Sequence, residues 1–169
     1  MGWQFKQAQD SVWLKATVPG CVHTDLMANN KIADPYYRNN EKSIQWIGEK
    51  DWDYQTNFVA DKVLLTRQNI ILVFEGLDTY ADVFINNVPV LHANNMHRSW
   101  KVNCKSLLHE GDNKITIHFN SIFKIDLPKY LNAPYKLQAW PNNDQSDLWW
   151  INHVILTPLH QFKFDHLCY

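Results

Sequence analysis

Cysteine is scarce in this chain: Cys21, Cys104 and Cys168 are the only three, and they lie far apart. An odd, sparse set argues against a disulfide framework and against a zinc knuckle, and leaves buried or incidental thiols as the ordinary reading. Excess charge is also missing. Sixteen Lys and Arg against 17 Asp and Glu give a net charge of −1, with no basic run or arginine stripe. A polyanion such as nucleic acid is therefore not an expected partner. No apolar run approaches the roughly 18 residues of a membrane helix, so a soluble chain is expected and a membrane partner is not. The opening "MGWQFKQAQ" has neither a basic n-region nor an apolar h-region, so no signal peptide is visible. The compartment stays open, because "GWQF" already reads as a first strand and a fragment trimmed at a domain edge would begin this way. Repeats, low-complexity tracts and linkers are absent too. At 169 residues the expectation is one domain, 1–169, with a single sizeable core.

Motifs that carry chemistry are equally rare. There is no G-x-S-x-G nucleophile elbow, no G-x-G-x-x-G and no phosphate loop. Eight His are present, but Cys21-x-His23 is the only tight pair, and zinc demands three or four ligands. No metal and no cofactor is expected. A glycosidase needs two carboxylates about 5 to 9.5 Å apart across a pocket. Glu41, Glu75, Asp78, Asp82, Asp144 and Asp147 are candidates, yet each sits near turn formers, which favours solvated or turn-capping roles. Sequence spacing brings no two of them together, and no catalytic residue is assigned.

Aromatics, by contrast, are abundant: eight Trp, eight Phe and seven Tyr make up 14% of the chain. Such rings suit sheet faces, sandwich cores and sugar-stacking surfaces. They fall in short alternating runs separated by turn chemistry. Trp3, Phe5 and Gln7 alternate with Gln4 and Lys6, and Val12 to Thr17 offers a second strand closed by Pro19-Gly20. "HTDLMANN" predicts one helical turn, with Thr24 able to cap and Asn29-Asn30 able to stop it. "IADPYYRNNEK" reads as irregular. In "DWDYQTNFVA" the residues Trp52, Tyr54, Thr56 and Phe58 share a face, while "NIILVFEGL" is apolar on both faces, as in the middle of a sheet. "YADVFINN" turns at Asn86-Asn87 into "VPVL", a hairpin, with Val83 and Ile85 facing one way and Asp82 and Phe84 the other. "HRSWKVN" predicts a further strand, "LLHEGDN" a loop, and "NKITIHF" a last alternation through Ile115, Ile117 and Phe119. Eight or nine strands with one helical turn predict an all-β fold, an antiparallel β-sandwich of the jelly-roll kind.

Two stretches stand out. In "FEGLDTYADVFINN" one strand ends and another begins across an acidic turn. Gly76 frees the backbone there and Asp78 can tie the turn down, which predicts a sandwich corner. In "AWPNNDQSDLWW", Trp140, Trp149 and Trp150 lie among Asn, Asp and Gln. Indole stacks on the C–H face of a pyranose while amides and carboxylates bond its hydroxyls, so sugar contact is one reading. Packing onto another domain is the other.

"ATVPGCVHTDL", "IADPYYRNNE", "QWIGEKDWDYQTNF", "LVFEGLDTYADVFINN" and "NNMHRSW" occur here in an order and spacing that closely resemble the N-terminal domain of β-mannosidases of glycoside hydrolase family two. The likeness runs from about Trp3 to Ser121. It implies a galactose-binding-like jelly roll that packs on immunoglobulin-like and TIM-barrel domains of a chain several times longer. It also implies removal of terminal β-mannose with retention, by two glutamates of the barrel, with no metal or organic cofactor. No residue of this chain matches either glutamate.

After "LPKYL" the resemblance would supply a basic stretch and then Gly-Trp-Asp-Trp-Gly-Pro, whose Trp and Asp hold the terminal sugar. Residues 132–169 depart from that pattern. Trp149-Trp150 with Asp147 are the nearest chemical echo, and "HQFKFDH" alternates through Phe162 and Phe164. The expected substrate-binding residues are accordingly Trp140, Asp147, Trp149 and Trp150. Two functions remain in view: a non-catalytic domain or fragment of an exo-acting β-mannosidase, and a stand-alone carbohydrate-binding jelly roll. The expected ligand is a β-mannoside or a mannose-containing oligosaccharide. A face that normally meets a barrel would be exposed in the isolated domain, so self-association is expected.

Overall fold

In the computed structural model, which describes residues 2–135, the alternating runs pair into two antiparallel sheets. The strands are β1 (Trp3–Gln7), β2 (Leu14–Ala16), β3 (Trp52–Ala60), β4 (Ile71–Phe74), β5 (Ala81–Ile85), β6 (Val88–Ala93), β7 (Trp100–Asn103) and β8 (Gly111–Phe119). Six form one sheet in the order β2-β1-β3-β8-β5-β6, and β4 pairs with β7 in the other. From β3 onward the chain crosses between sheets at every connection except the β5–β6 hairpin. That winding is what a jelly roll requires, and it makes an all-β sandwich.

Side-chain alternation decides which face is dry. Trp52, Tyr54, Thr56, Phe58 and Ala60 of β3 are buried while the residues between them are not, and β8 repeats this through Asn113, Ile115, Ile117 and Phe119. Val83 and Ile85 of β5 point into the same core. The aromatics anticipated for a sheet face gather there: the Phe5 ring centroid is 5.6 Å from that of Tyr54 and 5.9 Å from that of Trp52, and Phe119 meets Tyr54 edge-on at 5.9 Å. Burying each such ring contributes about 2 to 3 kcal/mol. Leu72 and Phe74 of β4 close the core from the opposite side.

The chain differs from the sequence reading in several elements. The second strand begins at Leu14 instead of Val12, and Lys6 Nζ donates to the carbonyls of Ala8 and Asp10 in the loop before it. β4 pairs with β7 alone among the described residues, and its burial alternates. The segment after Pro35 becomes regular sooner than expected, with α2 (Asn40–Ser43) and a 3-10 turn at Gln45–Glu49 following α1 (Val22–Ala28). Beyond these come α3 (Lys62–Leu65) and the 11-residue α4 (Ile122–Asn132), which contains Pro128. Long-range bonds hold the start of α4. Ser121 Oγ donates to the Gly48 carbonyl (2.6 Å), Ser121 N donates to Asp51 Oδ1 (2.8 Å), and Lys124 Nζ lies 2.5 Å from Asp51 Oδ2.

Candidate functional site

The motif residues of "TVPGCVHTD" serve a turn. Cys21 is the N-cap of α1, and Thr24 stands at its third position. Thr24 Oγ1 accepts from Cys21 N (3.2 Å) and donates to the Cys21 carbonyl (2.8 Å). Thr24 thus supports the cap from inside the helix. Asn29 closes α1 and Asn30 leaves it at a φ of 54°. Asp25 is 1% exposed, and its carboxylate accepts from Thr17 N (2.8 Å) and from the Tyr54 hydroxyl (3.0 Å). Burial pushes the Asp25 carboxyl above its ordinary value, against the opposing pull of those two bonds. Burial and the neighbouring Asp25 charge push the Tyr54 phenol well up. Gly20 is required for space: a Cβ there would stand 2.2 Å from the Thr17 carbonyl oxygen.

"FEGLDTY" is the corner anticipated from sequence. Phe74 ends a strand of the two-stranded sheet, Ala81 begins one of the six-stranded sheet, and Leu77, 1% exposed, plugs the core between them. Asp78 accepts from the Thr79 hydroxyl, and the exposed Glu75 offers its backbone carbonyl to Ser99. Tyr80 hydroxyl meets Asp126 of α4 at 2.6 Å, with Lys129 Nζ 3.2 Å from the same oxygen. Glu41 lies in the exposed α2. Asp82 is not a turn residue, since it stands within β5 on the outer face of the sheet.

On that outer face the register places five polar side chains in one row. Lys6 pairs with Asp53, Asp53 with His118, His118 with Asp82 and Asp82 with His92, running from β1 through β3, β8 and β5 to β6. Lys6 Nζ is 3.4 Å from Asp53 Oδ2, His118 Nδ1 is 2.7 Å from Asp53 Oδ1, and His92 Nδ1 is 2.6 Å from Asp82 Oδ1. Asn120 Nδ2 donates to Asp82 Oδ2 at 3.0 Å. The sequence signal for this row is faint. Asp53, His118 and Asp82 each alternate with core residues, but only the pairing register aligns the row.

Cys21 and His23 stay near the start of α1, and burial lowers the His23 pKa. Among the described residues no three His, Cys, Asp or Glu side chains gather as metal ligands. Trp140, Asp144, Asp147, Trp149 and Trp150 lie outside the described residues.

A two-sheet sandwich wound in this way, with its motif residues spent on turns, a corner and a sheet face, defines a galactose-binding-like β-sandwich module. The chain belongs to the family of the glycosyl hydrolase 2 galactose-binding domain-like module, whose model matches residues 3–154. It is 40% identical over 124 residues to β-mannosidase B of Aspergillus terreus, covering 70% of this chain and 15% of that protein. The corresponding enzyme of Aspergillus clavatus is 38% identical over 127 residues, with the same 15% of its length covered. Among solved structures, a β-D-mannosidase from Dictyoglomus thermophilum superposes with a TM-score of 0.79 at 39% identity, covering 83% of this chain and 17% of that one. An exo-chitosanase from Amycolatopsis orientalis shares the fold, with a TM-score of 0.63 at 22% identity. The chain therefore spans about 15% of the length of the relatives it matches.

Proposed function

We propose that this chain is the N-terminal, non-catalytic β-sandwich domain of an exo-acting, retaining β-mannosidase that hydrolyses terminal β-D-mannose. The observation carrying this reading is the 39% identity and 0.79 TM-score to a β-D-mannosidase, over only 17% of that enzyme. Within the parent protein the module packs on immunoglobulin-like and TIM-barrel domains and supports the barrel. The residues described above fit that role, because four aspartates of the described residues are engaged in folding. Asp25 holds a turn, Asp51 anchors α4, and Asp53 and Asp82 bridge strands.

The test is hydrolysis of p-nitrophenyl β-mannoside by this chain alone, and by a chimera carrying it in place of the matching segment of the Dictyoglomus thermophilum enzyme. The isolated chain is expected to be inactive and the chimera active. Hydrolysis by the chain alone would overturn the reading. Trp140, Asp147, Trp149 and Trp150 are proposed as the residues of this chain nearest the sugar, on their chemistry. Saturable quenching of tryptophan fluorescence by mannose in the isolated chain would favour the stand-alone binding module instead.

A further inference from the structure

We propose that the row Lys6–Asp53–His118–Asp82–His92 is a pH-responsive clamp that tightens the six-stranded sheet under mildly acidic conditions and slackens toward alkaline ones. Cross-strand pairs are the unit of sheet stabilisation, and opposite charges directly across a ladder favour pairing. Here the signs alternate from Lys6 through Asp53 and His118 to Asp82 when His118 is protonated: plus, minus, plus, minus. Losing the charge on His118 breaks the alternation at its centre, between β3 and β5.

His118 is the member that governs the response. Its side chain is 31% exposed, against 65% for His92, so solvent screens it less. An ionised carboxylate only accepts, so His118 Nδ1 donates to Asp53 in either charge state, and protonation adds a charge to an existing bond. The surrounding groups are nearly all anionic. Asp53 and Asp51 face it from β3 and the residue before it, Asp82 from β5, with Asn120 beyond the end of β8. Lys6 of β1, Lys124 of α4 and His92 of β6 reach it only through those carboxylates.

Geometry and titration agree in sign. The Asp53 hydrogen bond raises the His118 pKa above 6.5, with burial opposing and the charges of Asp53, Asp51 and Asp82 assisting. A raised histidine contributes stability that is complete below its unfolded value and lost as pH rises through the folded one. Burial pushes Asp53 and Asp82 up, but their histidine bonds and neighbouring charges outweigh it and leave both below 3.8. Their contribution is present above 3.8 and lost as pH falls through the lowered values. The clamp is complete between 3.8 and 6.5, the ordinary values of the two groups.

The experiment compares thermal unfolding of the 169-residue chain and of His118→Gln between about pH 5.5 and 8.5, alongside an NMR titration of the His118 ring in the wild type and in Asp53→Asn. The wild-type Tm should fall by about 3 °C more than that of H118Q over this range. The His118 midpoint should lie above 6.5 in the wild type and move down in D53N. Parallel Tm curves for wild type and H118Q would overturn the proposal. A wild-type midpoint at or below 6.5 would do the same, and that measurement decides the question even if H118Q does not fold.

Discussion

Asp25 sits in a nearly dry site, and its two bonds reach different parts of the chain: Thr17 in the turn after β2 and Tyr54 near the start of β3. Removing it takes one acceptor from the Thr17 N–H and one from the buried Tyr54 hydroxyl, each loss costing about 1 to 3 kcal/mol. Asp25→Ala is therefore expected to destabilise the chain by about 3 kcal/mol in urea unfolding. Asp25→Asn should cost less than half of that, since its carbonyl still accepts from Thr17 N and its amide can donate to Tyr54. Equal losses in the two variants would show that packing, not hydrogen bonding, sets the effect. Gly20→Ala should be at least as damaging as Asp25→Ala, because the added methyl meets backbone and nothing flexible can yield. Its urea midpoint beside that of the wild type checks this.

Hairpins and helices show how neighbouring elements share the work. Asn86 and Asn87 both adopt positive φ, 50° and 67°, as a two-residue turn between β5 and β6 demands. Their side chains differ in role. Asn86 Oδ1 accepts from Lys114 N (2.9 Å), while its Nδ2 donates to the Leu107 carbonyl and to Asn113 Oδ1, both at 2.8 Å. The exposed Asn87 side chain makes no such set of bonds. Asn87→Gly is expected to be neutral within about 0.5 kcal/mol, because glycine accepts the same backbone. Asn86→Gly, equally compatible with the turn, should cost about 2 kcal/mol through its lost bonds to β8 and the loop before it. Similar urea midpoints for the two variants would sink this division of roles. The helix α4 depends on tertiary partners in the same way: Asp51 and Gly48 receive its first turn from some 70 residues away in sequence.

The described residues form a sandwich with six strands facing two, and the chain matches about 15% of the length of its β-mannosidase relatives. A module taken from a larger protein exposes surface that would otherwise be covered. Tyr36 and Tyr37 are 77% and 57% exposed in the "DPYYRNNE" loop, with the Arg38 guanidinium 5.1 Å from the Tyr37 ring. Concentration-dependent association is the expected behaviour of the isolated chain in sedimentation velocity. A single monomer boundary at high concentration would refute it.

The alternating runs around Trp52, Val83 and Ile115 were legible because a strand's two-residue period states which side chains are dry before any partner is known. The corner at "LDTY" and the Asn86-Asn87 hairpin were legible for a similar reason, since turn chemistry is local. Family motifs added the fold type on residues 3–121. The roles of the acids were a different matter. Asp82 resembled the turn acids around it in the sequence, yet β8 and β6 place His118 and His92 opposite it. Asp25 looked like one polar residue in a helical turn, and Tyr54, 29 residues later, gives it a buried partner. Local periodicity and turn propensity thus set strands, hairpin and corner from the chain alone. Strand register and burial, which exist only once distant segments meet, decided which carboxylates became a turn anchor, a helix anchor or a sheet-spanning charge row.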